Sequence, residues 1–489
     1  LPTSSLNETI LKLTRLLTGS DQKWTDKLPL KVTKPYGFSD DMEYSIGVMK
    51  SKLELNDYAT AENCFDAMVK KYKLEGYEKS EQRIIMGVRY SMEISDYSIS
   101  LPFTFAEDVN TKTVEIVEEN SMFLKGVVIK AATFREYPDP EIASHILGTV
   151  GLLTAEEWEK VKDSGEYNMN DKIGKSGIEY AAEKYLKGTD GKVKIVQSVT
   201  GEIISSDVVK EAVAGNTVQL TIDKNLQRVA QQALKTSIDK INEENRKTSS
   251  QNDVSGAAVV VTDVNSGEIL AAVSYPYYSM DDYVKNYEKL ATDKSLPLFN
   301  RAFYGAYEPG STFKPAVALI GLQNGIINTS SYISCNKKYT RFKDYQPSCL
   351  GRHGSINVST AISKSCNCFF FELGYRIGIT NLNKYCEQLG LGVKTGVEIG
   401  ESSGILAGPD YAERMGKIWQ AGDTIQAAIG QSDNNFTPLQ LAQYTATLAS
   451  GGTRYKNHLI KSICSYSLNK TVKSDFISVL NQTDISADA

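Results

Sequence analysis

Tyr307-Glu308-Pro309-Gly310-Ser311-Thr312-Phe313-Lys314-Pro315 is the stretch on which the reading of this chain turns. Glu308-Pro309-Gly310 forms a turn. It delivers a serine to the start of an apolar helical run of Val317, Ala318, Leu319, Ile320 and Leu322. The first N–H groups of a helix lack backbone partners and the dipole is positive there, so the hydroxyl sits where negative charge is favoured. Lys314, three residues on, falls one turn along the same face. A serine with a basic group in reach is what an activated nucleophile needs, and Lys314 is the candidate base. Pro315 removes a backbone donor from the first turn and predicts a tight or irregular helix start.

The string Ser-x-x-Lys recurs at Ser20, Ser237, Ser334 and Ser467, so by itself it ranks nothing. The preceding turn and the apolar helix behind it separate Ser311 from the others. A second polar element stands at Ser365-Cys366-Asn367, ahead of Phe369-Phe370-Phe371 and Leu373, which read as buried. Ser-x-Asn also recurs, at Ser334, Ser355 and Ser467, and a helix cap is the alternative role for Ser365.

A chain of 489 residues exceeds one hydrophobic core and predicts at least two domains. Its 41% hydrophobic and 23% charged residues are those of an ordinary globular protein. A net charge of −5 without a basic stripe or RNA motif argues against a nucleic-acid partner. No apolar run approaches the ~20 residues that span a bilayer. The chain begins at Leu1 rather than Met, which leaves room for a signal or anchor ahead of it.

Along the chain, residues 1 to about 60 read as helices, with Ser5-Leu6-Asn7-Glu8 as a capping box ahead of Ile10, Leu11, Leu13, Leu16 and Leu17. Thr113 to Val117 and Gly126 to Ile129 read as short β runs, and Glu141 to Leu147 and Ala155 to Lys162 as helices. Thr189 to Thr200, flanked by Gly188 and Gly201, reads as hairpins and turns. The character changes near Gly215. Val218 to Ile222 is a strand, Asp223 caps a helix to about Ile241, and Asn242 to Asp253 is a polar loop. Ala257 to Thr262 and Glu268 to Ser274 make a hairpin about the turn Asp263 to Gly267. We place the domain boundary near residue 212. Residues 1–212 form an N-terminal non-catalytic part, and 213–489 form an α/β (α+β) domain with an antiparallel sheet flanked by helices.

Ser311-x-x-Lys314, Ser365-x-Asn367 and a Lys-Thr-Gly are the motif types of penicillin-binding proteins and class A β-lactamases. The wider sequence resembles a class B penicillin-binding protein, a monofunctional peptidoglycan D,D-transpeptidase. Leu298-Phe299-Asn300-Arg301-Ala302 with Tyr307 to Lys314 is similar to the family's segment around the nucleophile. Gly256 to Pro276 resembles its first hairpin, and Leu220 to Asp223 with Leu226-Gln227 the strand and helix before it. Gly430-Gln431 and Thr437 to Ala442 resemble a later landmark. Arg135 to Pro138, His145 to Gly148 and Gly174 to Glu179 resemble the family's elongated α+β pedestal domain of the dimerisation type. The likeness covers about residues 95 to 460.

Two departures stand out. The family's third motif, Lys-Ser/Thr-Gly, is expected on a strand after the Thr-Pro-Leu-Gln segment, yet Lys394-Thr395-Gly396 lies before it, 29 residues past Ser365. It reads as a structural loop and a decoy, and the chain reads as a piece ending before the true strand. The family's extreme N-terminal pedestal motif is also missing.

The resemblance implies a serine β-lactamase-like transpeptidase fold in which Ser311 attacks a terminal D-Ala-D-Ala bond with Lys314 as base. Ser365 would relay a proton to the leaving D-Ala, and Asn367 would hold the substrate amide and orient Lys314. An amine of a second stem peptide would take the acyl group, and β-lactams would acylate Ser311. No cofactor is implied for the chemistry. The implied partners are peptidoglycan stem peptides and the glycosyltransferase, divisome or elongasome proteins of the membrane. The implied location is the bacterial cell surface, anchored by an N-terminal helix outside this chain. Alternatives are a D,D-carboxypeptidase or β-lactamase using water, and a β-lactam sensor or cell-wall scaffold with a vestigial site.

Of seven cysteines, Cys64 stands alone and six fall between Cys335 and Cys464. Cys335, Asp344, Cys349 and His353 offer thiolate, carboxylate and imidazole donors suited to a four-coordinate structural Zn2+ between the two catalytic motifs. A Cys335–Cys349 disulfide and unpaired buried thiols remain the rival readings. Cys366 and Cys368 read as packing residues.

Overall fold

In the computed structural model, all residues are described except 1–2, 34, 41, 96, 98–101, 131–133, 170, 198–202, 249–252 and 484–489. The chain packs into two compact units. The first comprises 1–136, 154–171 and 286–292, and the second 137–153, 172–285 and 293–489. Packing thus assigns 137–153 and 172–212 to the second unit, a division that does not follow the chain at residue 212.

The first unit is mainly helical. Helices Thr3–Gly19, Ala61–Tyr72 and Lys79–Ile94 bury Ile10, Leu11, Phe65, Met68, Ile85 and Met86 in one core. Arg83, 1% exposed, pairs with Asp26 at 2.7 Å and donates to the Leu30 carbonyl at 2.6 Å. Such partners offset the cost of burying the cation, although Arg83 Nε is buried with no hydrogen-bond partner among the described residues. Ser5 lies inside the first helix, which begins at Thr3, so the expected capping box does not start it.

Thr113 to Val117, expected as a strand, is part of helix Thr111–Glu119. Asn110 caps it by accepting from Thr113 N–H at 2.8 Å, and Thr113 and Val117, one turn apart, are its buried face. A good cap and a tertiary contact with Leu13 outweigh the β-branched composition. Gly126 to Ile129 is likewise not a strand; Val127 N–H closes a turn on the Leu124 carbonyl. The helix expected from Glu141 shortens to Ser144–Leu147, while Ala155–Val161 is present.

In the second unit, strands Lys192–Gln197 and Ile203–Lys210 pair antiparallel, and the tip of that hairpin lies outside the described residues. Strand Thr217–Leu220 pairs antiparallel with Ile460–Cys464, which also pairs with Thr471–Lys473. Residues remote in sequence thereby close one sheet. Asp223 caps the next helix through Asn225 and Leu226 N–H, both at 2.9 Å. That helix runs Lys224–Thr248, past the expected end at Ile241, because the polar stretch read as loop is rich in helix-forming Glu, Arg and Lys and holds an i, i+4 ion pair, Lys247–Glu243 at 2.6 Å. It packs on the hairpin Ala257–Thr262 and Ile269–Tyr275. There Gln227 donates to the Ala272 carbonyl at 2.9 Å and accepts its N–H at 2.8 Å, acting as a strand partner.

The core beneath the catalytic motifs joins helix Lys314–Gln323 to helix Asn367–Ile377. Phe369, Phe370 and Phe371 are at most 1% exposed, and burying each side chain contributes about 1.5–3 kcal/mol. Among the described residues no helix is long and apolar enough to cross a membrane.

Candidate active site

Ser311 is held in a 3-10 turn, Gly310–Phe313, that leads into helix Lys314–Gln323. The tight start expected from Pro315 is present. Gly310 adopts a positive φ of 54°, and its N–H donates to the Gly430 carbonyl at 2.9 Å. Gly430 (φ 75°) packs so close that a Cβ there would lie 2.2 Å from the Gly310 oxygen. Tyr307 and Phe436 exchange backbone bonds on the other side of the turn. Ser311 stays exposed while Lys314 is 2% exposed.

Ser365 reaches this turn by a different route. Helix Val358–Ser363 ends with Ser365 N–H on the Ile362 carbonyl at 3.0 Å and Cys366 N–H on Ala361 at 2.9 Å. This is a Schellman motif, and it forces residue 365 to a left-handed φ of 49° where glycine is usual. Ser365 is therefore not the N-cap of the next helix; Cys366 holds that position. The conformation turns its hydroxyl to within 2.7 Å of Ser311 Oγ.

Lys314 Nζ donates to Ser365 Oγ at 2.9 Å, to the Ser365 carbonyl at 2.8 Å and to Asn367 Oδ1 at 2.7 Å. Among the described residues it makes no bond to Ser311 itself, so the two meet through Ser365. Burial holds the Lys314 ammonium below the ordinary lysine range, against an opposing pull from Cys349 and Cys366. A larger neutral fraction is what a base requires. All four residues expected from the two motifs thus lie in one hydrogen-bonded set.

Lys394-Thr395-Gly396 does another job. Glu401 accepts from Thr395 N–H (3.0 Å), Thr395 Oγ1 (2.8 Å) and Gly396 N–H (2.9 Å), which makes the segment a structural loop. Thr437-Pro438-Leu439-Gln440 is structural too. Thr437 and Gln440 form a capping box, and Gln440 Nε2 donates to the Val393 and Ser403 carbonyls at 2.8 and 2.7 Å.

Cys335, Cys349, His353 and Cys366 converge, each offering a donor atom within 4.8 Å of the others. Asp344 is exposed and outside this group, and Cys366, read from sequence as packing, takes the fourth place. The strand pair Ile333–Cys335 and Gly354–Ile356 sets the first sulfur, and the start of helix Asn367–Ile377 supplies the last. Zn–S and Zn–N bonds of tetrahedral zinc put sulfurs about 3.8 Å apart and sulfur about 3.5 Å from nitrogen. Here Cys349–Cys366 is 3.8 Å, and His353 Nδ1 is 3.5 Å from both Cys335 and Cys349. The donor set fits. Burial pushes the Cys349 thiol up, but hydrogen bonds from Gly351, Cys368, Asn367 and Cys366 bring it down to about 6, while burial drives Cys366 up to about 12. No two of the seven cysteines form a disulfide.

The family model described as the penicillin binding protein transpeptidase domain matches residues 257–488, and that of the penicillin-binding protein dimerisation domain matches 4–220. This chain belongs to the class B penicillin-binding proteins. It is 33% identical over 350 residues to the peptidoglycan D,D-transpeptidase MrdA of Acinetobacter baumannii, covering 69% of this chain and 49% of that protein. This class B chain spans about half the length of the curated relatives it matches. Among solved structures, the complex of penicillin-binding protein PBP2 and MreC from Helicobacter pylori is 26% identical with a TM-score of 0.62, covering 83% of this chain and 73% of that one. A peptidoglycan synthase complex that coordinates polymerization and crosslinking contains a chain 28% identical with a TM-score of 0.64, covering 81% and 69%.

Proposed function

We propose that the chain is the transpeptidase-bearing part of a peptidoglycan D,D-transpeptidase, with Ser311 as nucleophile. The observation that carries this reading is the chain of contacts Ser311–Ser365–Lys314–Asn367 around a buried lysine whose ammonium form is disfavoured. In the proposed mechanism neutral Lys314 draws the Ser311 proton through Ser365 Oγ as the hydroxyl attacks the penultimate D-Ala carbonyl. Ser311 N–H, at the start of the helical turn, would donate to the oxyanion. Ser365 would return the proton to the leaving D-Ala amine, and Asn367 would keep Lys314 oriented. An amine of a second stem peptide would then release the acyl group, and β-lactams would stop at the acyl-enzyme stage.

A fluorescent penicillin tests this on the full-length protein. Labelling of wild type and loss of labelling in Ser311→Ala are expected; an unlabelled wild type would favour a cell-wall scaffold with a vestigial site. The relatives named peptidoglycan D,D-transpeptidase support a cell-envelope location for the proposed work. The Helicobacter pylori complex supports an MreC protein as the partner, testable by co-purification.

We further propose that Cys335, Cys349, His353 and Cys366 hold a structural Zn2+. The ion would tie the loop before the second motif to the helix that carries it. Cys349 Sγ already accepts from Asn367 N–H at 3.3 Å. Elemental analysis of the purified protein is expected to give about one zinc per chain, and less in His353→Ala. Metal-free wild type would end this reading.

A further inference from the structure

Tyr444 lies on helix Pro438–Ala449 and is 2% exposed. Its hydroxyl accepts from Ala316 N–H at 2.9 Å and donates to the Thr312 carbonyl at 3.3 Å. An α-helix ordinarily pairs those two groups with each other, residue i with i−4. The phenol therefore sits in the backbone ladder of the nucleophile's own helix. It does so at the joint where the 3-10 turn Gly310–Phe313 passes into Lys314–Gln323, beside Pro315, which has no N–H. A side chain placed in the i→i−4 ladder opens and bends the turn it enters. Lys314 lies between the two bonded residues and Ser311 immediately precedes Thr312, so the opened turn holds the lysine and borders the serine.

The arm that delivers the hydroxyl is fixed at its base. Thr437 and Gln440 cap its helix, with Thr437 N–H on Gln440 Oε1 at 2.9 Å. Phe436, just before, pairs by backbone with Tyr307 and stacks on Phe313 at 5.9 Å.

We infer that Tyr444 is a positioning residue for acyl transfer. Its hydroxyl sets the spacing of Ser311 and Lys314 across the first turn while touching neither substrate nor reacting atoms. Burial raises the phenol well above its ordinary range, so it stays a donor and an acceptor at any working pH. The inference rests on Ser311 being the nucleophile.

The test compares wild type and Tyr444→Phe, as full-length protein, by the first-order rate of acylation at saturating fluorescent penicillin. A displacement near 1 Å at a reacting group costs about 10²-fold. The expected result is a rate constant ~10–100-fold lower, with the half-saturating concentration and the final labelled fraction unchanged. An unchanged rate constant would overturn the inference. So would a lower labelled fraction at an unchanged rate constant, since that reports lost folding alone. If Tyr444→Phe does not fold, 4-aminophenylalanine at position 444 keeps the ring and a donor to Thr312 but is a poor acceptor for Ala316 N–H. It is expected to be slowed, and wild-type kinetics there would equally overturn the inference. An unlabelled wild type strikes the Ser311 reading itself, whereas a labelled wild type with an indifferent Tyr444 strikes only this one.

Discussion

Ser365 and Lys314 each occupy a place that costs the fold something. Ser365 holds a left-handed φ of 49° without being glycine, a conformation disfavoured by about 1 kcal/mol. Ser365→Gly relieves that cost and loses a hydrogen bond of similar worth to Lys314. Thermal unfolding of the variant is therefore expected within a few degrees of wild type, while acylation falls by ~10²–10⁴-fold. A large loss of stability would contradict the account of residue 365. Lys314 is lowered by burial, so its neutral fraction rises with pH through a midpoint below that of a free lysine. The acylation rate of the proposed enzyme should climb with pH on an alkaline limb below the ordinary lysine range. A profile flat across that range would remove Lys314 as base. Both residues are legible as motif members in the sequence, but the left-handed turn that aims Ser365 is not, because only Gly or Asn would have announced it.

Elements rather than single side chains set the turn that presents Ser311. Gly430 lies against Gly310, and an added Cβ would stand 2.2 Å from the Gly310 oxygen. Gly430→Ala must therefore move backbone, with strain added by its φ of 75°. Penicillin acylation is expected to fall at least ~10-fold, and a variant that labels like wild type would show the contact to be slack. Gly430-Gln431 and Thr437 to Gln440 were visible in the sequence as landmarks, but their physical roles come from packing. One braces the nucleophile turn; the other caps a helix and pins the loop at Val393 and Ser403. The segment Thr113 to Val117 teaches the converse lesson. Its β-branched residues suggested a strand, and a cap at Asn110 with a buried i, i+4 pair made it a helix.

At the scale of the molecule, the proposed metal links distant parts of the chain. Cys335 and Cys366 are 31 positions apart in sequence, and His353 lies between them. A ligand present at ~1,000 times its Kd stabilises the state that binds it by about 4 kcal/mol. A strong chelator should accordingly lower the melting temperature of the full-length protein, and added Zn2+ should restore it. In Cys366→Ser the chelator effect should shrink. A melting curve indifferent to both would count against the site. The strand Thr217–Leu220, closed against Ile460–Cys464, is a second link of this kind.

The sequence alone determined the family and marked the candidate nucleophile, its lysine and the Ser-x-Asn wall, since local turn chemistry and ordered landmarks are properties of the linear chain. It also marked three donors of the cysteine–histidine site. The fourth candidate donor, the hydrogen-bonded path from Ser311 to Lys314 through Ser365, and the tyrosine bonded to the helix after Ser311 came only from tertiary structure. Cys366 read as packing because its i, i+2 spacing from Cys368 does not suit a ligand pair, and Asp344 looked suitable because it lay between two cysteines. Sequence distance carries no information on which side chains a core brings within 4 Å, and these contacts are made across gaps of 17 to 132 residues.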